Sequence, residues 1–413
     1  MTRRVFLTTS GVAMLALGFA PSFLARTVEA ARSRRKLLVA IFQRGAVDGL
    51  NMVVPYADAE YYRRRPTIAI PPPGRGEGGA LDLDGAFGLH PAMRPLLPLW
   101  TNRSIAIVHA SGSPDNTRSH FDAQDYMETA TPGIKSTRDG WLNRYLQLSA
   151  APRSTLSAVA IARQMPRSLD GPAPALALPA IESFDIRGGG AAQQMVERSY
   201  AQAGDPDLAG AASSAFHAMR ELRALSRTPY RPANGATYPR TPFGQALREI
   251  ARLARADVGL EIAFAESTGW DHHANEGGST GQLANRLGDL AAGIAALAQD
   301  LGDRMADTVI LTMSEFGRTV AENGTRGTDH GHGNAMLVIG GGVRGGVHGE
   351  WPGLAASDLH EGRDLKVTTD FRDVFGEIVT RHLGADAATA ARVFPLYGIK
   401  PQRFRGVLAG LAS

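Results

Sequence analysis

Asp329, His330 and His332 set three metal-ligating side chains within four positions, just ahead of an apolar run at 335–339. Gly331 and Gly333 lie between them and remove side chains that would crowd an approaching ion or substrate. In extended backbone His330 and His332 point to one face and Asp329 points away. That spacing suits two imidazoles on one divalent cation; a glycine turn that happens to carry histidines is the plainer alternative.

Further polar clusters follow other apolar runs. They hold Arg44 and Asp48, Ser119 and His120, Asp271 and His273, and Glu315 and Arg318. Asp271 and His273 again share a face if extended, although a loop histidine stacked on Trp270 fits the same residues. Asp48 before Gly49 also reads as a turn, and Ser119 as a helix N-cap. Glu315 reads as a metal ligand, a partner to one, or a helix cap. Arg44 and Arg318 read as neutralisers of an anionic substrate or as partners of these carboxylates. The chain has no cysteine, which excludes disulfides and thiolate ligands. Any cation is left to His, Asp, Glu or hydroxyl oxygen, which favours Zn, Mn, Fe, Mg or Ca.

The elements that position these groups come from apolar patterning. Runs at 36–42, 104–109, 258–264, 308–313 and 335–339 have the length of buried strands. Helical periodicity marks 91–101, 119–129, 208–225, 241–256, 280–302 and 370–383, most clearly through Leu283, Leu287, Leu290, Ile294, Leu297 and Leu301. Near-continuous apolar strands alternating with helices predict an α/β sandwich of three layers around a mostly parallel sheet. Ligands of such a sheet bind beyond the carboxyl ends of its strands, where the polar clusters fall. Residues 71–83 read as a surface loop, and 151–240 as an insertion or helical cap on a single domain at 32–413.

The first residues read as an export signal. Arg3 and Arg4 form a twin-arginine pair ahead of an apolar run near 12–24, and small residues follow around Ala30. Gly18 and Pro21 interrupt that run, which falls short of the roughly 20 apolar residues of a spanning helix. Residues 1–31 are therefore expected to be a signal peptide recognised by the twin-arginine translocase. The mature chain, about 380 residues long, is expected to be periplasmic or secreted, without a stable membrane span. The formal net charge of +4 includes the basic signal, and no lysine–arginine patch carries interleaved aromatics, so no nucleic acid is expected as a partner.

The twin-arginine start and the motif residues Arg44, Gly45, Asp48, Gly49, Leu50 and Asn51 resemble the bacterial family called domain of unknown function 1501. So do the stretch from Arg118 to Gln124, Trp270 with Asp271 and His273, the stretch from Ser314 to Thr319, and the stretch from Asp329 to Asn334. That family is similar to the alkaline phosphatase and sulfatase superfamily, which implies an alkaline-phosphatase-like α/β fold with metal ions beside a nucleophile. The resemblance implies Asp48, Asp271, His273 and either His330 or His332 as ligands. It implies Ser119, with Thr117 as substitute, as the nucleophilic hydroxyl. The pattern departs at Glu315 and Phe316, where the superfamily carries an Asp-His pair. Phe316 cannot ligate, so one imidazole is missing and the metal site is degenerate unless His120 or the second of His330 and His332 supplies it.

The first functional expectation is an exported metal-dependent hydrolase of phosphate or sulfate esters. Its divalent cation (Zn, Mn, Mg or Ca) would be held among Asp48, Asp271, His273, Glu315, Asp329, His330 and His332. Ser119 would attack while Arg44 or Arg318 neutralises the anionic ester. The alternative is a non-catalytic cell-envelope protein that keeps the fold and binds a ligand. A redox enzyme ranks third, because no flavin, haem or molybdopterin signature is present.

Overall fold

Leu37, Val39 and Ile41 belong to one buried cluster, and Leu38, Ala40 and Phe42 to a second. Successive side chains of a strand point to opposite faces, so a strand apolar on both faces must be covered on both. The computed structural model describes residues 35–149, 154–183, 198–199 and 206–409. The expected signal peptide at 1–31 lies outside the described residues, as does part of the segment 151–240.

The described strands are β1 (Leu37–Arg44), β2 (Val53–Val54), β3 (Leu81–Asp82), β4 (Gly88–Leu89), β5 (Ile105–Gly112), β6 (Ala158–Ile161), β7 (Leu176–Leu178), β8 (Ile262–Thr268), β9 (Thr308–Met313), β10 (Asn334–Gly340), β11 (Gly346–His348) and β12 (Thr369–Asp370). The main sheet has the order β11, β5, β10, β9, β1, β8, β6, β7, with β12 beside β5. β2, β4 and β3 form a small separate sheet. β1 pairs in parallel with β8 and β9, β6 with β8 and β7, and β5 with β11 and β12. Within the main sheet β10 is the reversed strand, antiparallel to both β9 and β5.

The helices that bear on the site and the core are α1 (Gly49–Met52), α2 (His120–Thr129), α3 (Trp141–Leu148), α4 (Pro206–Ser226), α5 (Pro242–Arg255), α6 (Gln282–Leu301), α7 (Phe371–Glu377) and α8 (Ala387–Val393). α6 buries Leu283, Leu287, Leu290, Ile294, Leu297 and Leu301 together with α5 against one face of the sheet. That is the apolar stripe its spacing predicts. α5 begins as its sequence dictates: the Thr241 hydroxyl accepts from the Gly244 amide, and Pro242 occupies the first turn. α3, α7 and α8 cover the opposite face. The result is the three-layer α/β sandwich expected from the strand pattern.

Two placements differ from the sequence reading. β8 starts at Ile262 rather than 258, because Gly259 takes a left-handed φ of 83° and breaks the extended run. Its carboxyl end moves to Thr268, close to Asp271. The segment 151–240 contributes β6 and β7 to the main sheet, so this part of it is integral to the sandwich. Its strands are only four and three residues long, so the sequence shows them only weakly. No helix among the described residues is long and apolar enough to cross a membrane.

Trp141 is fully buried in the second cluster and stacks on Phe375 at a ring-centroid distance of 4.6 Å. Trp141→Ala is expected to destabilise the fold by about 3–5 kcal/mol. Equilibrium denaturation of the variant against the wild type measures it.

Candidate metal centre

The reversal of β10 decides which loops meet. The carboxyl ends of β1, β5, β8 and β9 open on the same rim as the amino end of β10. Segments 45–48, 113–120, 269–273, 314–319 and 329–333 therefore converge, although the last precedes its strand. The last two lie directly against each other. The Gly317 amide donates to the His332 carbonyl at 2.9 Å, Gly331 to Gly317 at 2.8 Å, and Thr319 to Asp329 at 2.9 Å.

Glycine is required for that approach. A Cβ on Gly317 would lie 1.8 Å from the Gly333 carbonyl oxygen, and one on Gly331 2.3 Å from the Arg318 carbonyl carbon. The glycines among the histidines thus admit neighbouring backbone, a different reason from the open approach for an ion that the sequence suggested.

Four side chains gather at the rim. His120 Nε2 lies 2.9 Å from His330 Nε2 and 3.5 Å from Asp271 Oδ2. His330 Nε2 lies 3.3 Å from Asp271 Oδ1. Among the described residues His120, Asp271 and His330 form a group whose ligating atoms all fall within 4.8 Å of one another. His273 Nε2 reaches two of the three, at 3.0 Å from His330 Nε2 and 2.9 Å from Asp271 Oδ1. Ligands of a tetrahedral zinc lie about 2.0–2.1 Å from the ion, hence roughly 3.3 Å apart. The observed separations match that scale.

Each imidazole is oriented through its other nitrogen. His120 Nδ1 meets Glu315 Oε1 at 2.8 Å, His273 Nδ1 meets Asp329 Oδ1 at 3.1 Å, and His330 Nδ1 meets the Arg118 carbonyl at 2.9 Å. A carbonyl only accepts, so His330 Nδ1 donates. Burial pushes the Glu315 carboxyl up, but bonds from His120, Gln124 and the Gly45 amide outweigh this and keep it below its usual range. Asp329 is also lowered: burial raises it, and Asn323 and His273 outweigh the burial. Both carboxylates therefore accept, and His120 and His273 donate from Nδ1 as well. In the neutral rings all three Nε2 lone pairs then face one another and the Asp271 carboxylate. Acceptors this close need a cation or a proton among them. This is the orienting pattern of metal-bound histidines.

The charges agree. Burial alone would raise the Asp271 carboxyl, yet the Arg318 guanidinium brings it down to about 2, so it is ionised. Chiefly through its bond to Glu315, His120 is held above its usual value, whereas burial lowers His330. Without a metal, a proton on His120 relieves the clash of lone pairs. The face toward solvent is open: the side chains of Asp271 and His273 are 44% and 45% exposed. Such a site leaves room for a further ligand.

The remaining candidates have partners of their own. Glu315 is fully buried and orients His120 instead of facing the cluster. Asp329, likewise, orients His273. His330 makes a single bridge residue with Arg318 and the chain bends before β10, so the extended backbone needed to align it with His332 is not formed. His332 stacks on His360 at 4.4 Å instead, where burial lowers it to about 4. Both Asp48 oxygens accept from Arg65 in a buried network apart from the cluster. Beside Asp48, burial pushes Glu276 well above the carboxylate range. The Ser119 hydroxyl accepts from the Asp122 amide at 3.5 Å and caps α2. Arg44 pairs with Glu266 at 2.6 Å and Glu128 at 2.9 Å. Arg318 is buried and donates to the carbonyls of Gly45, Ala46, Trp270 and Thr328 as well as to Asp271. His120, only a fallback in the sequence, is the donor that patterning did not single out. Its signal was its place at the start of a helix just after a buried strand.

Fold and donor set define an α/β protein with a cation-sized site at the carboxyl rim of its sheet. Residues 86–393 match the family described as Protein of unknown function (DUF1501), and the chain belongs to that family. The match encloses His120, Asp271, His273 and His330 and excludes Arg44 and Asp48. Among curated proteins none matches the sequence. Among solved structures the chain is similar to the PsFucS1 sulfatase from Pseudoalteromonas sp., with 13% identity and a TM-score of 0.36 over 92% of this chain and 72% of that one.

Elemental analysis of protein purified without chelators is expected to find a bound divalent metal that Asp271→Ala and His330→Ala both lose. Asp48→Ala is expected to keep that metal while destabilising the fold by about 3–5 kcal/mol, because Arg65 is left buried and unpaired. Affinity is expected to fall as the pH drops from about 7.5 to about 5.5, since only neutral imidazole ligates. Titration of metal-free protein at several pH values reads this directly.

Proposed function

We propose that the protein is an exported metal-dependent hydrolase of phosphate or sulfate esters, with one divalent cation held by His120, Asp271, His273 and His330. The observation that carries this reading is the convergence of three Nε2 lone pairs and an ionised carboxylate on a solvent-open rim. When bound, the cation supplies Lewis-acid polarisation of an ester oxygen. The chain supplies the rest. Glu315, Asp329 and the Arg118 carbonyl hold the three imidazoles in the ligating tautomer. Phe316 packs against His120 and His330 at 5.0 and 5.1 Å, so a dry aromatic wall backs the site where the superfamily would add a second set of ligands. A single cation is therefore proposed.

Ser119 is the proposed nucleophile. It immediately precedes His120 at the amino end of α2, where helix dipoles favour a developing negative oxygen. Attack on the ester would form an Oγ–P or Oγ–S bond as the bond to the leaving alcohol breaks, with the hydroxyl proton passing to the departing oxygen; water would then cleave the Oγ–P or Oγ–S bond, releasing the anion and restoring the serine hydroxyl. Export through the twin-arginine translocase and a periplasmic or secreted location belong to the same reading and rest on Arg3, Arg4 and the apolar run behind them.

The second reading is a non-catalytic envelope protein that binds an anionic ligand at the cation. It is favoured by the capping role of Ser119 and by the engagement of Arg44 and Arg318 with protein groups. Assays of the mature protein with Zn or Mn on aryl phosphates and aryl sulfates separate the two. Turnover that falls at least about a hundredfold in both Ser119→Ala and Asp271→Ala is expected. Stoichiometric metal with no turnover on either ester class would favour the binding protein.

A further inference from the structure

A second concavity opens on the same rim. It is a cleft of about 730 Å³ at the carboxyl ends of β1, β6 and β8 and the start of α5, lined among others by Arg44, Arg163, Gln164, Arg167, Gln245 and Glu266. Its size lies within the range of small-ligand sites. The basic groups in its wall are not equivalent. Arg167 is tied to Asp125 and Asp170, and Arg44 to Glu128 and Glu266. Arg44 is shared between its two carboxylates, and only Glu266 of that pair lines the cleft. Arg163 is exposed and has no partner among the described residues. The cleft presents one guanidinium without a carboxylate partner of its own, together with the amides of Gln164 and Gln245, the Thr268 hydroxyl, and apolar lining from Ile161 and Pro242.

The cleft is also joined to the cation site. Arg44 donates to Gln124 at 3.1 Å, Gln124 donates to Glu315 at 2.9 Å, and Glu315 orients His120 at 2.8 Å. A ligand in the cleft thus lies against the support of a proposed metal ligand.

We propose that the cleft binds the non-reacting part of the substrate, that this part carries its own anionic group, and that Arg163 recognises it. The substrate class is then a multiply sulfated or phosphorylated saccharide or polyol, because amides and a hydroxyl suit sugar hydroxyls and the guanidinium suits a second sulfate or phosphate. The substrate assignment rests on the hydrolase reading above; binding in the cleft does not require turnover.

Calorimetric titration of the full, metal-loaded mature protein with a fully sulfated disaccharide tests the proposal, with the unsulfated disaccharide as comparison. The wild type is expected to bind the sulfated sugar in preference to the unsulfated one. Arg163→Glu is expected to weaken that binding by roughly tenfold or more. Lys400→Glu, an equal charge change outside the cleft, should leave it within about twofold. Asp271→Ala should abolish metal binding and retain most of the affinity for the sugar. Equal affinity in the wild type and Arg163→Glu overturns the proposal, as does no binding by the wild type. Loss of affinity in Asp271→Ala without loss in Arg163→Glu also overturns it, because the anion would then sit on the cation site. Sugar binding that depends on Arg163 in a protein without ester turnover would uphold the cleft and remove the hydrolase reading.

Discussion

The Arg318 guanidinium gathers the rim. It donates to the carbonyls of Gly45 and Ala46 after β1, to Trp270 after β8, and to Thr328 ahead of β10. A buried guanidinium is costly unless its N–H groups are satisfied. Here four carbonyl dipoles and the Asp271 carboxylate meet that requirement, and the same bonds fix three loops relative to one another. Lysine could not span these acceptors, because its ammonium is a compact point charge. The geometry of the His120, Asp271, His273 and His330 cluster is thus set from beneath by a residue outside it.

Asp271 has two tasks that reinforce each other. Its bond to Arg318 keeps it ionised at any physiological pH, and an ionised carboxylate both anchors the loop and faces His120, His273 and His330. Glu315 shows the complementary arrangement. It is fully buried, accepts from Gly45, Gln124 and His120, and so has no lone pair directed at the cluster. One carboxylate faces outward and one supports from behind. Phe316 then closes the floor between the two imidazoles it touches.

Charge divides the rim into two halves. One part, made of His120 after β5, Asp271 and His273 after β8 and His330 ahead of β10, collects acceptors. The other, at the carboxyl ends of β1, β6 and β8, collects Arg44, Arg163 and Arg167 with Glu266 and two amides. Arg44 and Gln124 lie on the seam and hydrogen-bond across it.

The sequence by itself determined the layers. Apolar runs at 36–42, 104–109, 308–313 and 335–339 became β1, β5, β9 and β10 with ends shifted by no more than about three residues, and the leucine spacing of α6 placed it on the core. Local pattern suffices there because burial on two faces or along one stripe leaves a period in the chain. It also marked Asp271, His273 and His330 as residues worth bringing together. Only the tertiary structure decided which of the candidates meet. The reversal of β10 is a fact of strand pairing that no local period records, and it brings His330 to His120 across 210 positions of chain. The same fold turned His332 onto His360, gave Asp48 to Arg65, and made Glu315 a support. A residue's type states what it can bind; its partners in space, set by long-range pairing and burial, state what it does bind.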